Sequence, residues 1–176
     1  SLNLVALGSP YKRGGNSTST QEMYELAGDP YYNSFWGYQQ GEKRNSRVYS
    51  GHQPMLILRH DWQISDKTSV ITALGYQTGK SNAQALDWLF ANDPRPDYYR
   101  RLPSYTDNEV LAAQIRDAFE NDPSLLQLPW DDLYQINLNS HFTVEDVDGV
   151  EGQNYSGALS HYILEDRRSD IDKKSA

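Results

Sequence analysis

Hydrophobic and polar side chains alternate along residues 54–78, and this alternation predicts two β-strands. In the first strand, residues 54–64, one face carries Leu56, Leu58, His60 and Trp62. In the second strand, residues 68–78, one face carries Val70, Thr72, Leu74 and Tyr76. The opposite faces are mostly polar or small. The Ser-Asp-Lys segment between the strands favours a tight turn, so the region is predicted to be a β-hairpin.

Two further strands are predicted, at residues 1–10 and 158–166. The first ends at a Gly and a Pro, and the second is followed by RRSDIDKKS, which we interpret as a short polar turn. The connections therefore alternate in length. Residues 11–53 and 79–157 form long connections, and the hairpin turn between them is short.

Strands of about ten residues joined by alternating long and short connections are typical of a transmembrane β-barrel. In such barrels one face of each strand contacts lipid and the other faces the lumen. We therefore predict an all-β fold, namely part of a transmembrane antiparallel β-barrel with about four strands. The two long connections, 11–53 and 79–157, would be extracellular loops. The alternative is a soluble, secreted, β-rich module that binds carbohydrate through its Tyr-rich loops.

Short helices are predicted inside the long loops. Residues 17–27 have Ser and Thr caps and a Gly just beyond their end, and residues 82–90 are a second candidate. Residues 108–120 have apolar side chains at the spacing of one helix face. These helices would give the loops a packed structure of their own.

Composition narrows the functional classes. The formal net charge is −8, which argues against nucleic acid as a partner, since phosphate binding requires a basic surface. The chain has no cysteine, which excludes disulfides and thiolate chemistry. No run approaches the roughly 18 apolar residues of a membrane-spanning helix. Because the sequence begins with SLNLVALG rather than Met, we interpret it as a piece of a longer protein.

Five segments occur in the order found in one family of membrane receptors. They are WGYQQGEKRNSRV, HDWQISDKTSVITALGYQTGKSNAQALDW, DPRPDYYRRLPSY, WDDLYQIN and SHYILEDRRSD. Together they cover most of the chain, which resembles the β-barrel of TonB-dependent outer-membrane receptors. The resemblance is strongest to the class in which a carboxypeptidase-regulatory-like domain and a plug precede the barrel.

The resemblance implies a barrel of roughly 22 strands around a plug, importing a nutrient with energy delivered by TonB. The chain would then lie in the bacterial outer membrane and contribute strands and ligand-facing loops. Its expected partners are the rest of the barrel and plug, TonB through the missing N-terminal part, outer-membrane lipid and an unidentified small nutrient. A surface lipoprotein is a further candidate partner. No cofactor is implied.

Trp36 and Tyr38 are the first candidate ligand-binding residues. They precede a basic run that contains Lys43, Arg44 and Arg47. Aromatic rings of this kind suit a site that is half buried and half wet, at the wall of the first loop. The cations would lie near anionic lipid head groups. Packing and anchoring, without ligand contact, is the alternative.

Tyr98, Tyr99, Arg100 and Arg101 are the second group of candidate ligand-binding residues. Adjacent Tyr and Arg side chains can hold a sugar ring or an anionic ligand. The neighbouring prolines predict a stiff, extended loop. Packing within the loop is the alternative, because aromatic residues in a long ordered loop must cover other residues.

Other chemistry has less support. Residues 145–152, EDVDGVEG, place carboxylates around a turn Gly, but their spacing differs from that of an EF-hand calcium loop. The four histidines, His52, His60, His141 and His161, do not form a metal-ligand motif, so no metal site is predicted. His60 falls on the mostly apolar face of its strand, which would require a slipped register or burial against a loop. No catalytic motif is present, and we do not expect an enzyme.

Overall fold

Antiparallel β-strands dominate the fold, which a computed structural model describes for residues 1–175. The chain forms two compact units. The first unit contains residues 1–14, 48–84 and the segment from residue 166 onward, and the second contains residues 15–47 and 85–165. No helix in the described part of the chain is long and apolar enough to cross a membrane.

The described residues contain ten strands and three α-helices. The strands are β1 (Leu2–Leu7), β2 (Tyr11–Gly14), β3 (Trp36–Gln39), β4 (Glu42–Asn45), β5 (Arg47–His52), β6 (Met55–Ser65), β7 (Thr68–Trp88), β8 (His141–Val144), β9 (Tyr155–Ala158) and β10 (Tyr162–Ser175). The helices are α1 (Gln21–Ala27), α2 (Glu109–Asn121) and α3 (Trp130–Asn139).

The first unit is built on a curled antiparallel sheet in which β7 is the central strand. The order of strands is β1-β6-β7-β5-β2, and β10 also pairs with β7. β1 pairs with β6, and β2 pairs with β5. β1 and β2 therefore lie end to end along one outer line of the sheet, and β5 and β6 lie end to end along the next line. With β7 and β10 they make a meander of four strand lines.

The register of this sheet confirms the two predicted faces of the hairpin. Leu58 lies opposite Leu74, and Trp62 lies opposite Val70. On its other side, β6 pairs with β1 so that Leu58 lies opposite Leu4. Because directly opposite residues point to the same side of a sheet, Leu4, Leu58 and Leu74 share one face. The opposite face carries fewer apolar pairs, among them Val5 with Ile57.

Gly79 lies in β7 beside the break between β5 and β6. Its φ is +143°, and a side chain there would place its Cβ 2.1 Å from the carbonyl oxygen of His52. Gln53 and Pro54 separate β5 from β6 at this point. A residue without a Cβ is therefore required where β7 passes the break between the two strands.

The helix predicted at residues 82–90 is wrong, because β7 continues to Trp88. Residues 79–88 therefore belong to a strand, and the long connection starts after them. The amide of Leu86 donates to the carbonyl of Ser46, as in a strand pair. Pairing with neighbouring strands decided the conformation, since SNAQALDW has no strong preference for either structure.

The fourth strand is displaced from its predicted position. The prediction was a strand at 158–166 followed by a polar turn, whereas β10 spans Tyr162–Ser175 and includes the whole RRSDIDKKS segment. The turn prediction is wrong. Charge alone suggested a turn, but the segment has a neighbouring strand, β7, with which its backbone pairs.

The second unit contains the predicted helices at its two long connections. α1 begins after Thr20, whose hydroxyl accepts a hydrogen bond from the amide of Met23, and it ends at Gly28 in the left-handed conformation. α2 begins after Asn108, whose side chain accepts from the amides of Val110 and Leu111. The helices predicted at 17–27 and 108–120 are therefore confirmed, and α1 has the Thr cap and the Gly beyond its end that were predicted for it.

Two hydrophobic clusters form the core of the second unit. The first contains Met23, Tyr32, Leu102 and Phe119, from α1, α2 and the loops beside them. The second contains Leu86, Leu128, Trp130 and Leu133. Every buried hydrophobic residue of the described chain belongs to this unit. The long loops thus fold as a packed structure.

Candidate functional site

One face of the sheet in the first unit is apolar and exposed. The side chains of Leu2, Leu4 and Trp62 are 68 %, 70 % and 56 % exposed. Others on this face, including Leu56, Val70 and Leu74, are also exposed. No residue of the first unit is buried in the described structure. An apolar sheet face of this kind requires a nonpolar surrounding, because monomeric soluble proteins seldom expose large contiguous apolar patches.

Aromatic residues lie toward the two ends of this face, and aliphatic residues lie between them. Trp62 is near the β6–β7 turn, and Tyr76 is at the opposite end, where it pairs with Leu56. Leu58 and Leu74 form the pair in the middle. His60 remains on the same face opposite Thr72 and is exposed, so neither the slipped register nor the burial expected for it occurs.

The charged residues of β10 extend beside both the polar part of β7 and the end of its apolar part. The side-chain amides of Asn82 and Gln84 donate to the carboxylate of Asp166 at 3.2 and 3.1 Å. The hydroxyl oxygen of Ser175, in contrast, lies beside Gly75. The charged residues near Asp166 are therefore level with residues 82–84. Asp172, Lys173 and Lys174, in contrast, line the same surface pocket as Met55 and Tyr76, at one end of the 68–78 stretch.

The basic run at the start of β4 and β5 stacks on aromatic rings of the second unit. The ammonium of Lys43 lies 4.2 Å from the ring centre of Trp36, and the guanidinium of Arg44 lies 4.3 Å from that of Trp130. Arg47 lies 4.7 Å from the ring of Phe35. Cations over aromatic rings attract the ring electrons. These three cations thus have aromatic partners within their own unit.

Trp36 and Tyr38 both lie on β3, and their rings contact edge to face with centres 5.7 Å apart. Trp36 is half-buried, whereas Tyr38 is 48 % exposed. The exposed ring of Tyr38 lies against the segment that leads into α3, because it lines the same cavity as Leu128 and Trp130. Tyr38 is therefore free to contact a ligand, while Trp36 mainly packs against Lys43.

The second predicted group divides into an aromatic cluster and a separate arginine. Tyr99 packs edge to face against Tyr98 and Tyr105, with ring centres 4.9 and 5.5 Å apart. Arg100 donates to the hydroxyl of Tyr99, and this bond raises the pKa of its guanidinium. Arg101 does not join this cluster. Its guanidinium donates instead to the carbonyl oxygens of Asp93 and Pro94.

A cavity of about 500 Å³ brings Tyr38 and Arg101 together, although they are far apart in sequence. Its volume lies within the range of roughly 300–1,000 Å³ that is usual for small-molecule sites. The lining also includes Leu125, Gln127, Leu128, Pro129, Trp130, Asp131 and Asp132. Tyr98, Tyr99, Arg100 and Trp36 do not line it, so the structure joins two of the six predicted residues in one site. We call this space the Trp130 cavity.

The charged groups of the Trp130 cavity are held by backbone groups. Arg101 donates to two carbonyl oxygens, and the carboxylate of Asp131 accepts from the amide of Gln40 through both oxygens at 3.2 Å. No side-chain nitrogen of Arg101 lies within 4.0 Å of a carboxylate oxygen of Asp131 or Asp132 among the described residues. The cavity thus contains a cation and an anion that are each held by backbone groups, together with the carboxylate of Asp132, and the opposite charges do not pair with each other.

The loop that carries Arg101 is rigid for reasons visible in its own contacts. Asp93 is 8 % exposed and forms a two-point interaction with Arg95, with a shortest nitrogen–oxygen distance of 2.5 Å. Pro94 and Pro96 are fully buried. Pairing with Asp93 raises the pKa of the Arg95 guanidinium. The loop is not extended throughout, because residues 99–101 and 103–105 form 3-10 turns. The fixed φ of its buried prolines restricts the backbone beside the carbonyls that hold Arg101.

Sequence reasoning missed the other half of the Trp130 cavity. Trp130, Asp131 and Asp132 begin α3, and the WDDLYQIN segment has no binding motif of its own beyond its place in the family resemblance. Two carboxylates in the first turn are the usual sign of a helix N-terminus, which they stabilise by charge. That signal predicts α3, but it does not reveal which loop faces it.

The acidic segment 145–152 is a hairpin tip between β8 and β9. The carboxylate of Asp146 accepts from the amide of Gly152 at 2.7 Å, so it is used within the turn. No group of three or more His, Cys, Asp or Glu side chains is placed to hold a metal ion in residues 1–175. The calcium site considered for this segment therefore has no support from its geometry.

Comparison of the chain with protein-family models, curated proteins and solved structures found no match in any of the three.

Proposed function

We propose that this chain forms part of the wall of an outer-membrane receptor barrel of the TonB-dependent class. In this proposal the sheet of the first unit spans the membrane. The second unit supplies the extracellular loops that face an imported nutrient. The observation that carries the proposal is the exposed apolar face shared by β1, β6 and β7.

The distribution of side chains on this face supports contact with lipid. Transmembrane barrels have an apolar band flanked by aromatic residues at both interfaces. Trp62 and Tyr76 occupy the two ends of the face, with Leu58 and Leu74 between them. β6 has 11 residues, which is the length expected for a tilted strand that crosses the hydrocarbon core.

The two edges of the sheet, which are unpaired in the described part of the chain, are a reason to propose that it belongs to a larger assembly of strands. β1 and β2 form one outer line of the sheet, and β10 forms the other. Within lipid, an unpaired strand edge costs several kcal/mol for each unsatisfied backbone group. Both edges must therefore pair with further strands, as they would in a closed barrel.

The alternative, a soluble carbohydrate-binding module, requires a second layer packed over Leu56, Trp62 and Leu74. In the described structure these side chains are exposed, with no layer over them. No observation on the fold therefore favours this alternative. The proposal for the first unit does not depend on what the second unit binds.

Arginine substitutions on the two faces of the sheet test the proposal. We expect Leu58→Arg and Leu74→Arg each to destabilise the assembled barrel by about 2–4 kcal/mol, because the charge enters the middle of the apolar band. Ile71→Arg is the matched control. Ile71 is also an exposed apolar strand residue, at 61 %, but it lies on the opposite face beside Asp61.

The readout is the folded fraction in outer membranes, measured from the mobility of unheated samples in a denaturing gel. The proposal predicts a loss for the two leucine variants and little change for Ile71→Arg. Equal losses for all three variants, or no loss for any, would contradict contact between this face and lipid.

A further inference from the structure

We propose that the Trp130 cavity binds a small zwitterionic ligand, such as an amino acid or a short peptide with free termini. This inference deepens the proposed function, on which it rests for its biological context, by naming the class of ligand that the second unit takes. The argument depends on the charges, the lining and the size of the cavity.

The first step concerns opposite charges that share a cavity without pairing. Arg101 is fixed by the carbonyl oxygens of Asp93 and Pro94, and Asp131 is fixed by the amide of Gln40. Asp132 is exposed and lines the same cavity. Because the cation and the anions form no salt bridge with each other, both signs of charge remain available to a ligand in the cavity.

The second step excludes ligands of a single charge. A purely anionic ligand would be attracted by Arg101 but repelled by Asp131 and Asp132. A purely cationic ligand would be attracted by the two carboxylates but would leave Arg101 without an anionic partner. A ligand that carries an ammonium at one end and a carboxylate at the other satisfies both sets, through charge-assisted hydrogen bonds.

The third step concerns the rest of the lining. The exposed ring of Tyr38 and the side chains of Leu125, Leu128 and Pro129 give the cavity an apolar part. An amino-acid side chain would be covered there. The cavity volume of about 500 Å³ is large enough for more than one residue of a peptide.

The fourth step is that the site is prepared before a ligand arrives. Trp130 is 4 % exposed, its indole nitrogen donates to the carbonyl of Arg44, and Arg44 stacks on its ring. The start of α3, with its two carboxylates, is thereby fixed. A preformed site loses less conformational entropy on binding.

Calorimetric titration of the full chain in detergent with the dipeptide alanylphenylalanine tests this inference. We expect the dipeptide with free termini to bind. We also expect an N-acetylated form and a C-terminally amidated form each to bind at least about tenfold more weakly, a loss of about 1.4 kcal/mol. Maltose is the probe for the competing sugar ligand.

Variants assign the two ends of the ligand. Arg101→Gln is expected to weaken the free dipeptide and to remove the effect of C-terminal amidation. Asp132→Asn is expected to reduce the effect of N-acetylation. Arg100→Gln is the matched control, because Arg100 is the adjacent arginine, stacks on Tyr99 and does not line the cavity. Arg101→Lys keeps the charge and should retain part of the effect of C-terminal amidation. This variant distinguishes a loss of charge from a change in the loop as the cause of the result with Arg101→Gln.

Three results would overturn the inference: equal binding of capped and free dipeptides, binding of maltose but not of the dipeptide, or no heat with any peptide up to about 10 mM. These results concern the second unit alone. The arginine substitutions on the sheet concern the first unit alone, so failure of the inference and failure of the proposed function give different results.

Discussion

Gly37 shows how a single residue sets the geometry of the second unit. A Cβ at this position would lie 2.0 Å from the carbonyl oxygen of Leu128, because the chain before α3 runs directly against β3. The amide of Leu128 also donates to the carbonyl of Trp36. The residue before Tyr38 therefore has no room for a side chain, and this close approach places Tyr38 beside the start of α3.

We predict that Gly37→Ala destabilises the second unit by about 1–3 kcal/mol, the usual cost of inserting an atom group into a packed site. Gly28→Ala is the control, because Gly28 has open space around it. Its substitution should lower the free energy of unfolding only through the strain of the left-handed backbone. The measurement is urea unfolding followed by tryptophan fluorescence. A loss for Gly37→Ala below about 1 kcal/mol would contradict the close packing of β3 and Leu128.

Tyr32 is the residue whose ionisation should couple most strongly to folding. Its hydroxyl donates to the carbonyl of Leu126 at 3.0 Å. Burial, and then the charge of Asp97, raise its pKa far above the ordinary value of 10.0. Since the folded pKa is raised, the stabilisation is complete below pH 10. It is lost as the pH rises further, because only the unfolded chain then releases the proton.

We therefore expect the free energy of unfolding to fall by up to about 1.4 kcal/mol for each pH unit above 10 through this group alone. Tyr32→Phe should lose about 1 kcal/mol at pH 9, from the missing hydrogen bond, and then show a shallower decline. Unfolding measured from pH 9 to 11 gives both slopes. Identical slopes would show that Tyr32 is not buried as described.

Residues in the sequence differ in how far their roles were predictable. Tyr38 and Arg101 could be selected because exposed aromatic and guanidinium side chains in loops are common in binding sites. Trp130 could not, since a tryptophan at a helix start is more often a core residue. Only tertiary contacts, which bring α3 to β3 and to the loop at residue 101, place these three in one cavity.

At the scale of elements, α2 is the clearest case of a helix specified by its own sequence. Asn108 accepts hydrogen bonds from two amides of the first turn, at 3.0 and 3.1 Å. One face then buries Ala112 and Phe119. Capping and spacing are local signals, so this helix and its starting residue could be predicted.

Asn108→Ala should destabilise the second unit by about 1 kcal/mol, because two amides lose their acceptor. Asn108→Asp is expected to retain the stability, since a carboxylate caps equally well and favours the positive end of the helix. Thermal unfolding of the three proteins makes the comparison. A loss in the Asp variant equal to that in the Ala variant would contradict a capping role.

The strands show where local signals failed. The hairpin faces at residues 54–78 were predictable, because alternation with a period of two is read directly from side chains. The extension of β7 to Trp88 and the strand at 167–175 were not. Polar residues are compatible with a strand, a helix or a turn, and only pairing with a neighbouring strand decides among them.

At the scale of the whole molecule, the two units bury their side chains in opposite ways. The second unit contains all ten buried hydrophobic residues of the described chain, and eight of them form two clusters. The first unit contains none, yet one of its faces is apolar. A sheet that leaves its apolar face uncovered must find a nonpolar surrounding outside the chain, and we propose that this surrounding is lipid.

The most direct test of this central claim is a scan of residues 56–63 with single nitroxide labels in outer membranes of cells that produce the protein. The chain has no native cysteine, so each introduced cysteine gives one labelled site. We predict that labels at 56, 58, 60 and 62 collide mainly with oxygen dissolved in lipid, and that labels at 57, 59, 61 and 63 collide mainly with a water-soluble relaxant. Equal access of the water-soluble relaxant to both sets would contradict the account.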